Sequence, residues 1–268
     1  MKNSDFFTLA NGVTIPAIGF GTWQIPSGDI TYNSVKEALK AGYRHIDTAQ
    51  AYGNEASVGK AILDLGIDRK EIFVTSKLPA EIKNYEQALK RAEFTMKKIG
   101  LDYIDLYLIH APWPWTEIGA DYTKENIEVW KAMEEFYESG KTRSIGISNF
   151  NVKDTEAILE TCRIRPMVNQ IKLHIGHRQE EITEFCRRNN ILIEGYSPLA
   201  TGKILSNPEI ARIAEKYGKS VAQISVRYVL QKGALPLPKS VHPEYIRQNF
   251  DINFEISDDD IRRLDSLK

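Results

Sequence analysis

The sequence predicts an α/β chain folded as one (β/α)8 barrel of the TIM type, a single domain over residues 1–268 with a short N-terminal β-hairpin. Three observations lead there. Strand-like and helix-like segments alternate almost from end to end. Eight strand candidates can be counted, and no Pro/Gly/Ser-rich linker interrupts them. A barrel of this kind routinely takes about 250 residues as one domain, so the length forces no division.

The elements follow in order. Asn11-Gly12 marks a tight hairpin turn near the N-terminus. Strand candidates, rich in apolar and β-branched residues, then fall near residues 17–20, 43–47, 72–76, 104–109, 143–147, 167–171, 191–194 and 234–237. Between them, apolar residues recur at helical spacing, as in Val35 and Leu39 or Ala88, Ala92, Thr95, Met96 and Ile99. Gly42, Gly66, Gly100 and Gly140 close helices, and Ser220-Val221-Ala222-Gln223 reads as a capping box. A doubly wound nucleotide fold would instead need Gly-x-Gly-x-x-Gly between a first strand and a helix. Gly19-Phe20-Gly21 is the nearest approach, but Trp23-Gln24-Ile25 follows without a third glycine in register. That stretch reads as a tight turn at the barrel rim.

Composition narrows the function. Lys+Arg 35 against Asp+Glu 36 leaves a formal charge of -1, so no global field draws nucleic acid or an anionic membrane. Met1-Lys2-Asn3-Ser4-Asp5 lacks a signal-peptide pattern, and no apolar run approaches the roughly 18 residues of a membrane span. With only Cys162 and Cys186, both in helix-like stretches, a disulfide framework is not expected; a reducing cytoplasm fits. No metal is expected, and nothing demands more than a monomer.

The chemistry gathers at strand ends. Asp47 follows Tyr43-Arg44-His45-Ile46, Lys77 follows Ile72-Phe73-Val74-Thr75-Ser76, and His110 follows Ile104 to Ile109. Parallel β/α sheets place their reactive groups at the carboxyl ends of the strands. A carboxylate, an amine and an imidazole on one rim, with Tyr52 five residues after Asp47, describe a proton-transfer site. Singly, each has a plainer reading: a buried structural pair for Asp47 and Lys77, a rim aromatic for Tyr52, a core histidine for His110. Jointly they favour catalysis.

The stretch Gly42-Tyr43-Arg44-His45-Ile46-Asp47-Thr48-Ala49-Gln50-Ala51-Tyr52-Gly53-Asn54-Glu55 resembles the signature segment of the aldo-keto reductase superfamily. Gly21-Thr22-Trp23, Gly146-Ile147-Ser148-Asn149-Phe150, Asn169-Gln170, Tyr196-Ser197-Pro198-Leu199 and Pro238-Lys239-Ser240 fall in family order, so the resemblance covers essentially the whole chain. It is similar to the short bacterial-type members such as the 2,5-diketo-gluconic acid reductases. The resemblance implies NAD(P)H-dependent reduction of aldehydes and ketones to alcohols, with the catalytic set Asp47, Tyr52, Lys77 and His110.

Physical chemistry assigns roles to that set. Carbonyl reduction needs a hydride on carbon and a proton on the developing alkoxide. A tyrosine hydroxyl holds its proton near neutral pH, and a neighbouring ammonium lowers its pKa and improves the acid. Lys77 is expected to supply that charge to Tyr52, with Asp47 holding the ammonium. His110 is expected to orient the carbonyl oxygen or assist the proton step, as an imidazole titrating near neutral pH. No side chain supplies a hydride, so a nicotinamide cofactor is implied.

The resemblance also implies cofactor contacts. Tyr196 would stack on the nicotinamide, and Ser148, Asn149 and Gln170 would hold its carboxamide. Gly21, Thr22, Trp23 and Asp47 would also contact the cofactor. Ser197 and Leu199 would offer backbone donors to the pyrophosphate, or simply form the turn after strand seven. Lys239 and Ser240 would meet the adenosine end, and Gln248 and Asn249 match adenine-edge positions. NADPH is the expected cofactor. Many NADPH-preferring relatives carry an Arg five residues after the Ser of the last motif, where this chain has Tyr245. A phenol forms no bidentate charged contact with phosphate, so NADH is also expected to be tolerated.

The substrate pocket is expected to be aromatic, formed by Trp23, Tyr52, His110 and Trp113, with Trp115 equally suited to plain packing. Pro79 stands where many relatives have a Trp, and the tail stops at Lys268, which together imply an open pocket for a small-molecule carbonyl. Two rival functions remain: a non-catalytic dinucleotide-binding regulatory subunit, and a Schiff-base aldolase using Lys77, which would need that amine free of Asp47.

Overall fold

A computed structural model describes residues 1–267; Lys268, on which the short-tail expectation falls, lies outside the described residues. The chain begins with an antiparallel hairpin, β1 (Phe6–Thr8) and β2 (Thr14–Pro16), in which Phe6 faces Pro16 and Thr8 faces Thr14. Gly12 turns it at φ 83°, a left-handed conformation open to a residue without Cβ. Asn11 Nδ2 donates to the carbonyl of Arg143 at 2.9 Å, just before a barrel strand begins. The hairpin tip therefore lies at the amino ends of the strands, away from the chemistry.

Eight parallel strands form the barrel: β3 (Phe20–Gly21), β4 (His45–Asp47), β5 (Phe73–Leu78), β6 (Leu106–Ile109), β7 (Ile145–Ser148), β8 (Val168–Lys172), β9 (Leu192–Tyr196) and β10 (Leu235–Leu237). Each pairs with its sequence neighbour. The amides of Gly19 and Gly21 donate to the carbonyls of Pro236 (3.1 Å) and Pro238 (3.0 Å), which joins the first strand to the last. Every expected strand is present, but the turn expected at Gly19-Phe20-Gly21 is not: Phe20 and Gly21 are β3 itself, paired with Ile46 and Asp47. A Cβ on Gly19 would lie 2.5 Å from both His45 Nδ1 and Leu237 Cδ2, so crowding by these two packed side chains, not chain reversal, calls for glycine there.

The helices are α1 (Asp29–Ala41), α2 (Glu55–Asp64), α3 (Tyr85–Ile99), α4 (Thr123–Glu138), α5 (Val152–Thr161), α6 (Glu180–Arg188), α7 (Pro208–Tyr217), α8 (Val221–Gln231), α9 (Pro243–Phe250) and α10 (Asp258–Asp265). Their apolar stripes are the expected ones: α3 buries Ala88, Ala92, Thr95 and Ile99. Gly42 and Gly100 cap α1 and α3 in the left-handed region. The capping box at α8 is complete, with Ser220 and Gln223 bonding each other's backbone. Leu106 to Ile109 of β6 are all buried, as a strand covered on both faces requires. Cys162 and Cys186 are free thiols. Among the described residues no helix is long and apolar enough to cross a membrane.

Candidate active site

The carboxyl ends of the strands bring the four singled-out side chains together. Asp47 ends β4, Lys77 is the penultimate residue of β5, and His110 follows β6 directly. Tyr52 ends a short 3-10 turn (Gln50–Tyr52) just beyond β4, and Gly53 at φ 71° closes it. Lys77 extends into the barrel with no exposed surface. Its Nζ donates to Asp47 Oδ1 (2.8 Å) and Oδ2 (2.7 Å), to the carbonyl of Thr48 (2.9 Å) and to Tyr52 Oη (3.3 Å). The Tyr52 and His110 rings meet edge to face with centroids 5.6 Å apart.

Electrostatics at this cluster correct two expectations. Burial pushes the Tyr52 phenol up to about 12; Lys77 pulls it down and Asp47 pushes it up, so the ammonium offsets the rise without reversing it. Tyr52 thus keeps its proton at neutral pH. His110 does not titrate near neutrality: burial, with help from Lys77, takes it down to about 3. Its neutral ring has a buried, unpartnered Nδ1. For Lys77, burial disfavours the ammonium, but the attraction and hydrogen bonds of Asp47 and Tyr52 raise its pKa overall. It is a held cation, not a free amine.

Above the cluster opens a cavity of about 1000 Å³. Asp47, Tyr52 and His110 form its floor beside Trp23 and Trp115. Gly21, Ser148, Asn149, Gln170, Tyr196, Ser197, Leu199, Lys239, Ser240, Gln248 and Asn249 line the rest, and Tyr245 stands half exposed at that far end. Tyr196 Oη donates to Asn149 Oδ1 at 2.8 Å, while Asn149 Nδ2 donates to the His110 carbonyl (2.9 Å) and Ser148 Oγ (3.0 Å). Asn149 adopts φ 63° and Ser197 φ 52°; non-glycine residues in this region concentrate at ligand sites. The cleft fits a dinucleotide. It carries an aromatic face at Tyr196 next to amide groups; among the described residues its one lining cation is Lys239, at the far end, where Asn249 Oδ1 is buried without a partner.

A model of the aldo/keto reductase family matches residues 17–268. The chain belongs to the aldo/keto reductase family. It is 42% identical over 264 residues to the glyoxal reductase of Bacillus subtilis, covering 98% of this chain and 92% of that one. It is 40% identical over 269 residues to a 9,11-endoperoxide prostaglandin H2 reductase of Trypanosoma cruzi, covering 99% and 92%. Among solved structures, an aldo/keto reductase from Brucella melitensis superposes with a TM-score of 0.92 at 42% identity, covering 99% of this chain and all of that one. A Bombyx mori aldo-keto reductase in complex with NADP gives 0.88 at 33% identity, covering 99% and 93%. The chain is thus a carbonyl reductase of the kind that uses a reduced nicotinamide cofactor.

Two residues of this aldo/keto reductase depart from their expected places. Thr22 is fully buried and is not among the residues lining the cavity; its Oγ1 donates to the Asp47 carbonyl at 2.9 Å, which braces the β3–β4 rim. Trp113 does not reach the cavity either. Trp115 does, with its ring 5.4 Å from His110, and Trp113 buttresses it from 5.2 Å away. It is the second tryptophan of the loop, exposed at the mouth, that lines the cleft, which spacing alone does not reveal. Gln24, Thr201, Gly202, Ser220, Val221 and Ala222 also line the cleft and were not anticipated. The capping box did mark Ser220 to Ala222 as a helix start, which is a usable signal because such termini offer free N–H groups.

Proposed function

We propose that this reductase transfers its equivalents from NADPH to small carbonyl compounds, with Tyr52 donating the proton to the carbonyl oxygen. The observation that carries the reading is the contact of Lys77 Nζ with Tyr52 Oη at 3.3 Å while the same ammonium is clamped by Asp47. A bound nicotinamide supplies the hydride that reduces the carbonyl carbon. The chain's own residues do the rest. Tyr52 gives up its proton as charge develops on oxygen, and Lys77 stabilises the phenolate left behind. Asp47 fixes the ammonium and balances its charge. His110, neutral at working pH, hydrogen-bonds the carbonyl oxygen and steers it towards Tyr52. Trp23 and Trp115 flank the substrate and exclude water from its apolar side.

On the cofactor side, Tyr196 would stack on the nicotinamide, Ser148, Asn149 and Gln170 would hold its carboxamide, and Ser197 and Leu199 would meet the pyrophosphate. Lys239 and Ser240 would face the 2′-phosphate, and Gln248 and Asn249 the adenine edge. NADPH is favoured because Lys239 is, among the described residues, the one cation lining the cleft and because the Bombyx mori relative holds NADP. Tyr245 at the same end supplies no fork of donors, which keeps NADH within reach. The name of the glyoxal reductase relative supports small dicarbonyls among the substrates.

Neither rival reading gains support. An aldolase would need Lys77 unpaired, whereas Asp47 engages it with both oxygens. The test is a panel of aldehydes, α-dicarbonyls and keto esters, followed by cofactor absorbance with NADPH and NADH. Turnover with NADPH favoured is expected; cofactor binding without oxidation across the panel would overturn the reading in favour of a binding subunit.

A further inference from the structure

One buried acid has no part in the chemistry so far. Glu194, in the middle of β9, has no exposed surface and lies directly across the sheet from Gln170 of β8. Its Oε2 accepts from Gln170 Nε2 at 2.8 Å, and the same nitrogen donates to Asp47 Oδ2 at 2.8 Å. A primary amide has two N–H donors, so both are used. Turning the amide over would set its oxygen, an acceptor, against the acceptor oxygens of Asp47 that already engage Lys77. The orientation is therefore chemically determined, and the carbonyl oxygen is the part of Gln170 left to serve the cleft that Gln170 lines.

Among the described residues no cation explains Glu194. Lys77 is committed to Asp47, and His45, whose Nε2 lies 3.9 Å from Glu194 Oε1, is neutral and bonded to Thr75 Oγ1 at 2.9 Å. Glu194 Oε1 has no partner at all. Burial, reinforced by Asp47, pushes the Glu194 carboxyl up to about 8, so near neutral pH it stays protonated and adds no second negative charge beneath the site. A buried acid with an idle oxygen is unfavourable for folding unless it serves something, and the geometry offers one beneficiary.

We infer that Glu194 is a positioning residue that acts through Gln170: it holds the amide with its oxygen towards the cleft, and so sets which way round a nicotinamide carboxamide docks and which face of the ring meets the substrate. The inference rests on the reductase reading above. With Asp47 as its only remaining anchor, the Gln170 side chain would swing, and the cleft would lose its oriented acceptor for the carboxamide N–H.

The test uses Glu194→Gln, which keeps an acceptor, and Glu194→Met, which keeps the length and removes it. NADPH is titrated by quenching of protein fluorescence with no carbonyl present. Deuterium transfer to a carbonyl that wild type reduces is then followed from NADPH labelled separately on each face of the ring. In Glu194→Met, affinity should fall about fivefold to tenfold, the scale of one hydrogen bond, and label from the normally silent face should appear in the alcohol. Glu194→Gln should retain tight binding and single-face transfer. In Glu194→Met/Gln170→Leu, the loss should be no larger than in Gln170→Leu alone. Unchanged affinity and single-face transfer in Glu194→Met would overturn the inference, as would Glu194→Gln behaving like Glu194→Met. If Glu194→Met does not fold, Glu194→Ala carries the same comparison. A wild type that binds NADPH but reduces nothing would refute the reductase reading, and the titration would still judge Glu194.

Discussion

Lys77 Nζ lies 3.3 Å from Tyr52 Oη while both oxygens of Asp47 hold the same ammonium at 2.7–2.8 Å. The phenol is thereby tied to a cation whose own position is fixed from below. Burial raises the Tyr52 pKa and the cation opposes that rise. Burial keeps the proton in place at rest, and in the proposed mechanism the cation is the partner of the phenolate once the proton leaves.

Removing that proton is the direct test. Tyr52→Phe keeps the ring and its edge-to-face contact with His110, so NADPH affinity should change little. Turnover should drop by roughly 10²–10⁴-fold, the usual contribution of a general acid. A steady-state assay beside a cofactor titration separates the two, and turnover near wild type would remove Tyr52 from its role.

Deleting the cation should be as damaging. Lys77→Met roughly preserves length and leaves Asp47 buried without its partner, so activity should collapse even at saturating NADPH, with some loss of stability. Asp47→Asn should be milder in turnover, because Lys77 remains and keeps its bonds to Thr48 and Tyr52. Retention of most activity by Lys77→Met would show that Tyr52 needs no electrostatic support.

Cofactor choice should follow Lys239. Lys239→Ala is expected to weaken NADPH by about 1.5–3 kcal/mol, the scale of a charge-assisted hydrogen bond, and to leave NADH almost unaffected. Tyr245→Arg should strengthen NADPH by adding a fork-shaped donor. Equal losses for both cofactors in Lys239→Ala would mean that this lysine does not read the phosphate.

His45 makes stability depend on acid. Its pKa is lowered by burial, and further by Lys77, to about 3, so between pH 6.5 and 3 the unfolded chain binds a proton there that the folded chain does not. The stability tied to the neutral ring is present above about pH 6.5 and is lost as pH falls through that window. His45→Asn should therefore lose less stability than wild type between pH 7 and 5, by roughly 1–2 kcal/mol at about 1.4 kcal/mol per unit. Urea unfolding of both proteins at the two pH values checks this; parallel losses would argue against it. Glu55, raised mainly by burial to about 7, works in the opposite sense in both proteins and cancels in the comparison; Glu194, which lies 3.9 Å from His45, is replaced by Gln in both proteins so that its titration does not enter.

One glycine should matter to packing alone. A Cβ on Gly59 of α2 would fall 1.7 Å from the carbonyl oxygen at Ile99, where α3 ends. Gly59→Ala should force the two helices apart and destabilise the fold by roughly 1–3 kcal/mol or more, with cofactor affinity nearly unchanged. Thermal unfolding without any loss would show that the helix pair adjusts freely.

Much of the molecule was written locally. β-branched runs, helical periodicity and the Ser220 capping box depend on near neighbours in sequence, so eight strands and the intervening helices could be read in order. Strand ends are local features too, which is why Asp47, Lys77 and His110 could be placed on one rim. What the sequence could not show depends on distance and dielectric. Whether Trp113 or Trp115 turns into the cleft depends on how the loop lies over His110. Thr22 is diverted to the Asp47 carbonyl by a strand pairing across 25 positions. The Tyr52 and His110 proton affinities reflect desolvation, which arises only when the barrel closes around them. The bridge from Glu194 through Gln170 to Asp47 joins residues 123 and 24 positions apart. It exists because adjacent parallel strands set Gln170 beside Glu194 and the closed barrel brings Asp47 within reach, which is a matter of register and closure and not of composition.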